Sequence, residues 1–190
     1  INIAATAFDD GSGNSYAGIT DATTLNFTTA DVNAPTLSSS SPSDGATGVA
    51  VDANIVLTFS EDIVVEIGNI TIKKSSDDSV LETISVASSK VTGTSTTTIT
   101  INPSSTLNES TKYYINIAAT AFDDGSGNSY AGINDSATLD FTTESIPPTL
   151  SSSSPSDGDL DVAVNANIVL TFSEDIVVEI GNITIKKSSD

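Results

Sequence analysis

The sequence contains one acidic, glycine-rich loop that occurs twice. It reads Asp123-Asp124-Gly125-Ser126-Gly127-Asn128, and the same six residue types stand at positions 9–14. Carboxylates and a carboxamide spaced closely around two glycines offer several hard oxygen ligands on a bendable backbone, and Ca²⁺ takes six to eight such ligands. The spacing is not that of an EF-hand, because no Glu stands at the closing position. The alternative is a hairpin whose Asp and Asn side chains bond locally and organise the turn.

A second acidic motif, Ser60-Glu61-Asp62, follows an apolar segment and returns as Ser173-Glu174-Asp175. We predict that it enters the loop after its strand and joins the glycine-rich loop in a calcium site. The alternative is a solvated acidic loop end. The predicted metal ligands are Asp123, Asp124, Asn128, Glu61 and Asp62, together with their repeats Asp9, Asp10, Asn14, Glu174 and Asp175.

The composition excludes most catalytic chemistry. The chain has 190 residues, a formal net charge of −19, and no Cys, His, Met or Trp. Disulfides, thiolate metal sites and His-assisted nucleophiles are therefore excluded, and only carboxylate chemistry remains. Since every prominent acid lies in a repeated loop, we expect no enzyme. The negative charge makes nucleic acids and anionic membranes poor partners, and we expect no membrane insertion; it also fits a protein that is merely kept soluble.

Long repeats decide the domain organisation. Residues 1–29 return as 115–143 with 25 of 29 positions identical, and 35–77 return as 148–190 with 39 of 43 identical. The offsets of 114 and 113 suit whole domains rather than solenoid units. We therefore predict a first copy (1–32, the C-terminal part of a repeat), a complete unit (33–143) and a third copy (144–190, the N-terminal part of the next). We expect this stretch to belong to a longer array.

Short alternating segments predict strands. Ile55, Leu57 and Phe59 share one face, Ile99 and Ile101 share another, and turn residues separate the segments. About seven or eight strands follow, with no helical periodicity, so the fold class is all-β. A two-sheet antiparallel β-sandwich is the economical arrangement. Tyr113 stands where a tyrosine corner would place it, with its hydroxyl bonded to upstream backbone.

These ordered motifs resemble the bacterial Ig-like repeat of large surface proteins. The resemblance rests on the segments 41–51 (SPSDGATGVAV), 55–61 (IVLTFSE), 111–117 (TKYYINI) and 141–143 (FTT), and it extends over the whole chain. It implies tandem immunoglobulin-like sandwiches in an extended array, used mostly as spacers. In an immunoglobulin topology the two acidic motifs would meet at one end of the sandwich, near the preceding domain.

The resemblance and the acidic loops together predict a non-catalytic, calcium-stiffened stalk that belongs to an adhesin and lies extracellularly at a cell surface. Its partners would be the neighbouring repeats of the same chain. Two other functions stay open at this point. The repeats could assemble with other copies into an extracellular filament or sheath, or they could bind a glycan, although sugar sites favour exposed aromatic platforms and the chain has no Trp.

Overall fold

A computed structural model describes residues 1–187 and shows an all-β protein. Within these residues there is no helix, and hence no helix that could cross a membrane. Ten of the strands lie in the complete unit and two in the third copy. The strands are β1 (Leu37–Ser41), β2 (Ala46–Val49), β3 (Ile55–Val65), β4 (Asn69–Lys74), β5 (Val80–Ser85), β6 (Val91–Thr92), β7 (Thr96–Ile101), β8 (Lys112–Ile117), β9 (Phe122–Asp124), β10 (Asp140–Thr143), β11 (Leu150–Ser154) and β12 (Val169–Phe172).

Two sheets of the complete unit form the predicted sandwich. The first has the order β1-β3-β7-β6, with β9 pairing to the far end of β3, and the second has the order β2-β10-β8-β4-β5. All pairs are antiparallel except β2 with β10, which run parallel. The unit has ten strands rather than seven or eight because two very short ones, β6 and β9, complete the first sheet.

The alternating apolar residues face each other across the two sheets, as their period predicts. Leu57 and Ile99 are cross-strand partners and both are fully buried. Phe59 packs edge-on against Phe122 and Tyr130, with ring centroids 5.5 and 5.2 Å apart. These contacts place the glycine-rich loop directly over the core, because Phe122 and Tyr130 begin and end that loop.

Tyr113 makes the contact expected of a tyrosine corner. Its ring is fully buried beside Phe141, and its hydroxyl accepts a hydrogen bond of 2.9 Å from the backbone N–H of Asn108. The neighbouring Tyr114 points to the outer face of the second sheet. It is nevertheless covered there, because its hydroxyl donates to Asp78 and Lys73 lies over its ring.

The strand β3 is longer than the sequence suggests. The prediction that Ser60-Glu61-Asp62 enters a loop is wrong, since these residues continue β3 as far as Val65. The physical reason is a change of partner along one edge of β3: residues 56–59 pair with β1 and residues 63–65 pair with β9, while β7 pairs along the other edge from Ile55 to Ile63 across a register shift. Pairing with β9 keeps the chain extended where a loop would otherwise begin. Glu61 lies between the segment of β3 that pairs with β1 and the segment that pairs with β9.

The first and third copies have fewer strand pairings. In the first copy only isolated bridges form, such as Asp9 with Ser15 and Ile3 with Ile19. In the third copy β11 and β12 pair with each other and form a separate two-stranded sheet.

Candidate metal centre

The glycine-rich loop is organised by Asp124. Its Oδ1 accepts hydrogen bonds of 2.8 Å from the backbone N–H groups of Ser126 and Asn128, and its Oδ2 accepts one of 2.6 Å from the Asn128 side chain. These are the local bonds expected of an Asp that forms a turn. The positive φ of Gly127, 87°, closes the loop in the left-handed region that glycine tolerates. Asp124 is thereby held at the end of β9 and is only 5% exposed.

Glu61 reaches the same place from the neighbouring strand. Ile63 is the cross-strand partner of Asp124, and Glu61 lies two residues earlier in β3, on the same side by alternation. The side chain of Glu61 is half-buried. Its carboxylate accepts no hydrogen bond from residues 1–187, so it brings free acceptor oxygens to this end of the sandwich.

Asp31 completes the cluster from the junction that precedes the complete unit. Its backbone oxygen accepts a 3.3 Å hydrogen bond from the Asn128 side chain, and its Oδ1 accepts one of 3.1 Å from the N–H of Asn33. One carboxylate oxygen from each of Asp31, Glu61 and Asp124 lies within 4.8 Å of the others. We name these three residues the acidic cluster. It joins the linker, a strand and a loop.

The three carboxylates have different electrostatic environments. The side-chain amide of Asn128, followed by the loop N–H groups, lowers the pKa of Asp124 below its ordinary value. The pKa of Glu61 is raised, chiefly because its carboxylate has lost water and also because Asp31 and Asp124 are negative. Donors therefore stabilise the charge of Asp124, whereas nothing in the described part of the protein compensates the charge of Glu61. A cation would.

Only part of the predicted ligand set comes together. Asp124 and Glu61 lie in the acidic cluster, and Asn128 contacts Asp124 and Asp31. Asp123 alternates to the other side of β9, where it lines a shallow cleft with Glu66 and Ser129. Asp62 is exposed and lies outside the cluster.

The remaining predicted ligands lie in the other copies, where no cluster forms among the described residues. In the first copy Asp10 accepts the same three bonds as Asp124, at 2.7–2.8 Å, and its pKa is lowered chiefly by the side chain of Asn14. It is exposed, as is Asp9. In the third copy Glu174 and Asp175 are exposed. The loop is therefore organised by hydrogen bonds among its own residues, whereas the acidic cluster requires the complete unit.

Sequence reasoning missed Asp31 because it lies in neither acidic motif. A signal was present in the two junctions. Asp31 stands four residues before Pro35, and Glu144 stands four residues before Pro148, so an acid occupies the same place in both. This repeated acid was the feature of the sequence that could have drawn attention to Asp31.

The arrangement suits a hard cation better than a reaction. Three carboxylates from three segments bring three oxygens within 4.8 Å of one another, and backbone oxygens and water would have to complete the six to eight ligands of Ca²⁺. Within residues 1–187 they form the one group of three acidic or other metal-ligating side chains close enough to hold an ion.

Comparison with known proteins supports the fold. The chain matches the bacterial Ig-like domain family model over residues 31–143 and again over 144–189. No curated protein sequence matches it significantly.

Two solved structures are weakly similar to this chain. CopC from Methylosinus trichosporium OB3b is 14% identical, with a TM-score of 0.41, over 58% of this chain and 93% of CopC. The S-layer protein rSbsC(31-844) is 17% identical, with a TM-score of 0.40, over 71% of this chain and 19% of that protein. The two family matches cover most of the sequence and the first coincides with the β-sandwich, so the chain belongs to the family of bacterial Ig-like domains.

Proposed function

We propose that this chain is a non-catalytic spacer of a bacterial surface protein, in which Ca²⁺ clamps the first linker, at residues 30–34, onto the complete unit that follows it. The observation that carries the proposal is the acidic cluster, where Asp31 of the first junction meets Glu61 and Asp124 of the complete unit. The domain boundaries are part of the proposal, with units at 1–32, 33–143 and 144–190. The extracellular location and the attachment to an adhesin also belong to it.

The second junction supports the stalk because it is hydrogen-bonded to the unit before it. The N–H of Glu144 donates to Val49, its carbonyl accepts from Ser110, and the N–H of Ile146 donates to the carboxylate of Glu109. Two prolines follow at 147 and 148, which restrict the backbone further. A linker held in this way has little freedom to hinge.

The first junction differs because its contact to the following unit is weak without a cation. The Asn128 side chain reaches the backbone of Asp31 at only 3.3 Å, while the negative charges of Asp31, Glu61 and Asp124 repel one another. A divalent cation between the carboxylates would replace this repulsion with attraction. Calcium would thus decide whether the linker is fixed to the unit or free to move.

The test is the calcium dependence of thermal unfolding in the full chain. Calcium should raise the unfolding temperature of the complete unit, since binding to the folded state stabilises it by mass action. Glu61→Gln should remove this rise, and Asp124→Asn should do so too. Glu61→Gln is the cleaner variant, because Asp124→Asn also disturbs the bonds of the loop.

Two further variants distinguish the site seen here from its alternatives. Asp44→Asn removes a carboxylate that is not part of the acidic cluster and should leave the calcium response unchanged. Asp123→Asn should also leave it unchanged, because Asp123 faces away from Glu61. A calorimetric titration without heat of binding at millimolar calcium would refute the clamp, and loss of the response in Asp123→Asn would refute this ligand set.

A further inference from the structure

A cleft of about 320 Å³ lies beside β1 in the complete unit. β1 is the edge of the first sheet, and the turn that follows it leads to β2 at the edge of the second sheet. The cleft is therefore at the place where the chain crosses from one sheet to the other. Its lining comes from β1, this turn, the end of the glycine-rich loop and the segment before β10. We name it the β1 cleft.

Tyr130 brings an unpaired hydroxyl to the lining of the β1 cleft. Its ring packs edge-on against Phe59, with the centroids 5.2 Å apart, and the residue is only 7% exposed. Its hydroxyl makes no hydrogen bond with residues 1–187, whereas the hydroxyls of Tyr113 and Tyr114 are both bonded. Burial raises the pKa of Tyr130. Polar groups of buried side chains normally have a partner, so this hydroxyl has hydrogen-bonding capacity left for a bound molecule.

The hydroxyl of Tyr130 can be reached from outside the protein. Among the described residues, the fully buried side-chain atom without a hydrogen bond is Ser75 Oγ, and the Tyr130 hydroxyl is not such an atom. It therefore keeps some contact with solvent. Since Tyr130 lines the β1 cleft, a molecule in this cleft can bond to it.

Asp44 adds a carboxylate in a fixed position. Its Oδ1 accepts a 3.1 Å hydrogen bond from the N–H of Asp140, and the N–H of Gly45 donates to the carbonyl of Asp140 at 2.9 Å. These two bonds fix the turn after β1 to β10. The Oδ2 of Asp44 accepts no hydrogen bond from the described part of the chain, so one acceptor oxygen remains for a ligand.

The rest of the lining is uncharged and rich in hydroxyl groups. The hydroxyls of Ser38, Ser39 and Ser43 make no hydrogen bond within residues 1–187, and each can both donate and accept. Leu37 adds an apolar surface. A neutral molecule that carries several hydroxyl groups and an apolar face matches this lining, and a sugar ring has both.

Charge and size exclude the other small ligands. No Lys or Arg lines the cleft, and the net charge of −19 opposes the binding of anions. A single carboxylate falls short of the six to eight oxygen ligands of Ca²⁺. The volume is at the small end of the range for ligand pockets, so the cleft has room for one sugar residue and not for a longer oligosaccharide.

We propose that the β1 cleft binds one neutral hexopyranose residue of a glycan. In this complex the Oδ2 of Asp44 accepts a hydrogen bond from one sugar hydroxyl, the hydroxyl of Tyr130 bonds to another, and Leu37 contacts the apolar face of the ring. The site shares no residue with the acidic cluster. Because an open cleft holds a single sugar residue, the dissociation constant lies in the millimolar range.

A chemical-shift titration of the ¹⁵N-labelled full chain, with chelator present, tests the site. The probes are the methyl glycosides of glucose, mannose and galactose, which differ in the orientation of one or two hydroxyl groups. At least one should give saturable shifts at millimolar concentration, concentrated at residues 37–44, 130 and 138. Tyr130→Phe should weaken binding by about threefold or more, and Asp44→Asn by about tenfold, because Asn keeps the bond to Asp140 but loses the charge.

Tyr114→Phe is the matched control. It removes a hydroxyl that bonds to Asp78 outside the cleft, and it should bind the sugar like the parent. Glu61→Gln should also bind like the parent. Without sugar, Tyr130→Phe should melt no lower than the parent, because the hydroxyl that it removes has no partner among residues 1–187.

Three results would overturn the proposal. They are the absence of saturable shifts with all three glycosides, an unchanged affinity in Tyr130→Phe, and a lower melting temperature of Tyr130→Phe without sugar. Shifts at the same residues with N-acetyl-lysine methylamide, and none with the glycosides, would also overturn it and would assign the cleft to a basic side chain of a protein partner. Because calcium is absent from the titration, failure of the calcium clamp cannot produce any of these results.

Discussion

Residues 35–74 and 148–187 have nearly the same sequence in different surroundings. Both form the same hairpin, β1 with β3 and β11 with β12, in the same register and with the same irregularity. In the complete unit the chain then continues through β3 to Val65 and forms β4, whereas no strand follows β12 in the described part of the third copy. Local sequence is therefore sufficient for the hairpin, and the other strands depend on partners from later in the chain.

The two glycine-rich loops also differ in what depends on local sequence and what depends on partners elsewhere in the chain. Asp10 and Asp124 accept equivalent hydrogen bonds, and both have a lowered pKa with an Asn side chain as the main cause. Only Asp124 is buried and lies beside a second and third carboxylate. The loop is formed by its own six residues, whereas the acidic cluster also needs β3 of the sandwich and the linker that carries Asp31.

The largest expected effect comes from the core. Leu57 is fully buried, and Leu57→Ala should lower the free energy of unfolding of the complete unit by about 2–5 kcal/mol. Its counterpart Leu170 is 38% exposed, so Leu170→Ala should leave that free energy unchanged. Urea denaturation of the parent and of the two variants measures both changes. Equal losses would mean that the third copy shares the core of the complete unit.

This comparison also explains how much could be predicted from sequence. The alternation at Ile55, Leu57 and Phe59 reports which residues face the core, because side chains in a strand alternate with a period of two. It does not report the partner of each strand. The end of β3 was misplaced for this reason, since pairing with β9 across about 60 residues of sequence keeps Glu61 in a strand.

The same limit applies to the acidic cluster. Asp124 and Glu61 were predicted from their motifs, and the structure brings them together. Asp123 was included because neighbours in sequence were treated as neighbours in space, although adjacent residues of a strand face opposite sides. Asp31 was missed because it joins the cluster through the path of the linker, which no local pattern encodes.

An intermediate effect is expected at a pair of glycines. Gly132 has a φ of +76°, and a Cβ there would lie 2.5 Å from the backbone oxygen of Ile117. Gly18 has nearly the same geometry, with φ +79° and 2.6 Å to the oxygen of Ile3. Gly132→Ala should destabilise the complete unit by more than about 1 kcal/mol, because alanine is strained at positive φ.

Gly18→Ala should leave the unfolding of the complete unit unchanged, although the local strain is the same. Thermal denaturation of both variants measures the difference. If Gly18→Ala lowered the melting temperature as much as Gly132→Ala, the first copy would have to be part of the same cooperative unit.

The smallest expected effect is on the pH dependence of stability, to which Asp124 and Glu61 contribute with opposite signs. The pKa of Glu61 is raised above 4.5, so between that value and the raised pKa the folded unit binds more protons than the unfolded chain. Without calcium, the unfolding free energy should therefore fall as pH rises through this window and stay lower at neutral pH. Asp124 has the opposite effect. Because its pKa is lowered below 3.8, its charge stabilises the folded unit above pH 3.8, and this stabilisation is lost as the pH falls below 3.8.

Glu61→Gln isolates the first of these contributions. In chelator at neutral pH this variant should melt a few degrees higher than the parent, because the uncompensated charge beside Asp31 and Asp124 is gone. Its melting temperature should also change less between about pH 4.5 and neutral pH than that of the parent, while the loss of stability below pH 3.8 remains. Glu179→Gln removes one negative charge from an exposed position of the third copy and should reproduce the parent curve. A lower melting temperature for Glu61→Gln in chelator would show that Glu61 stabilises the unit without a cation, which contradicts the repulsion on which the clamp depends.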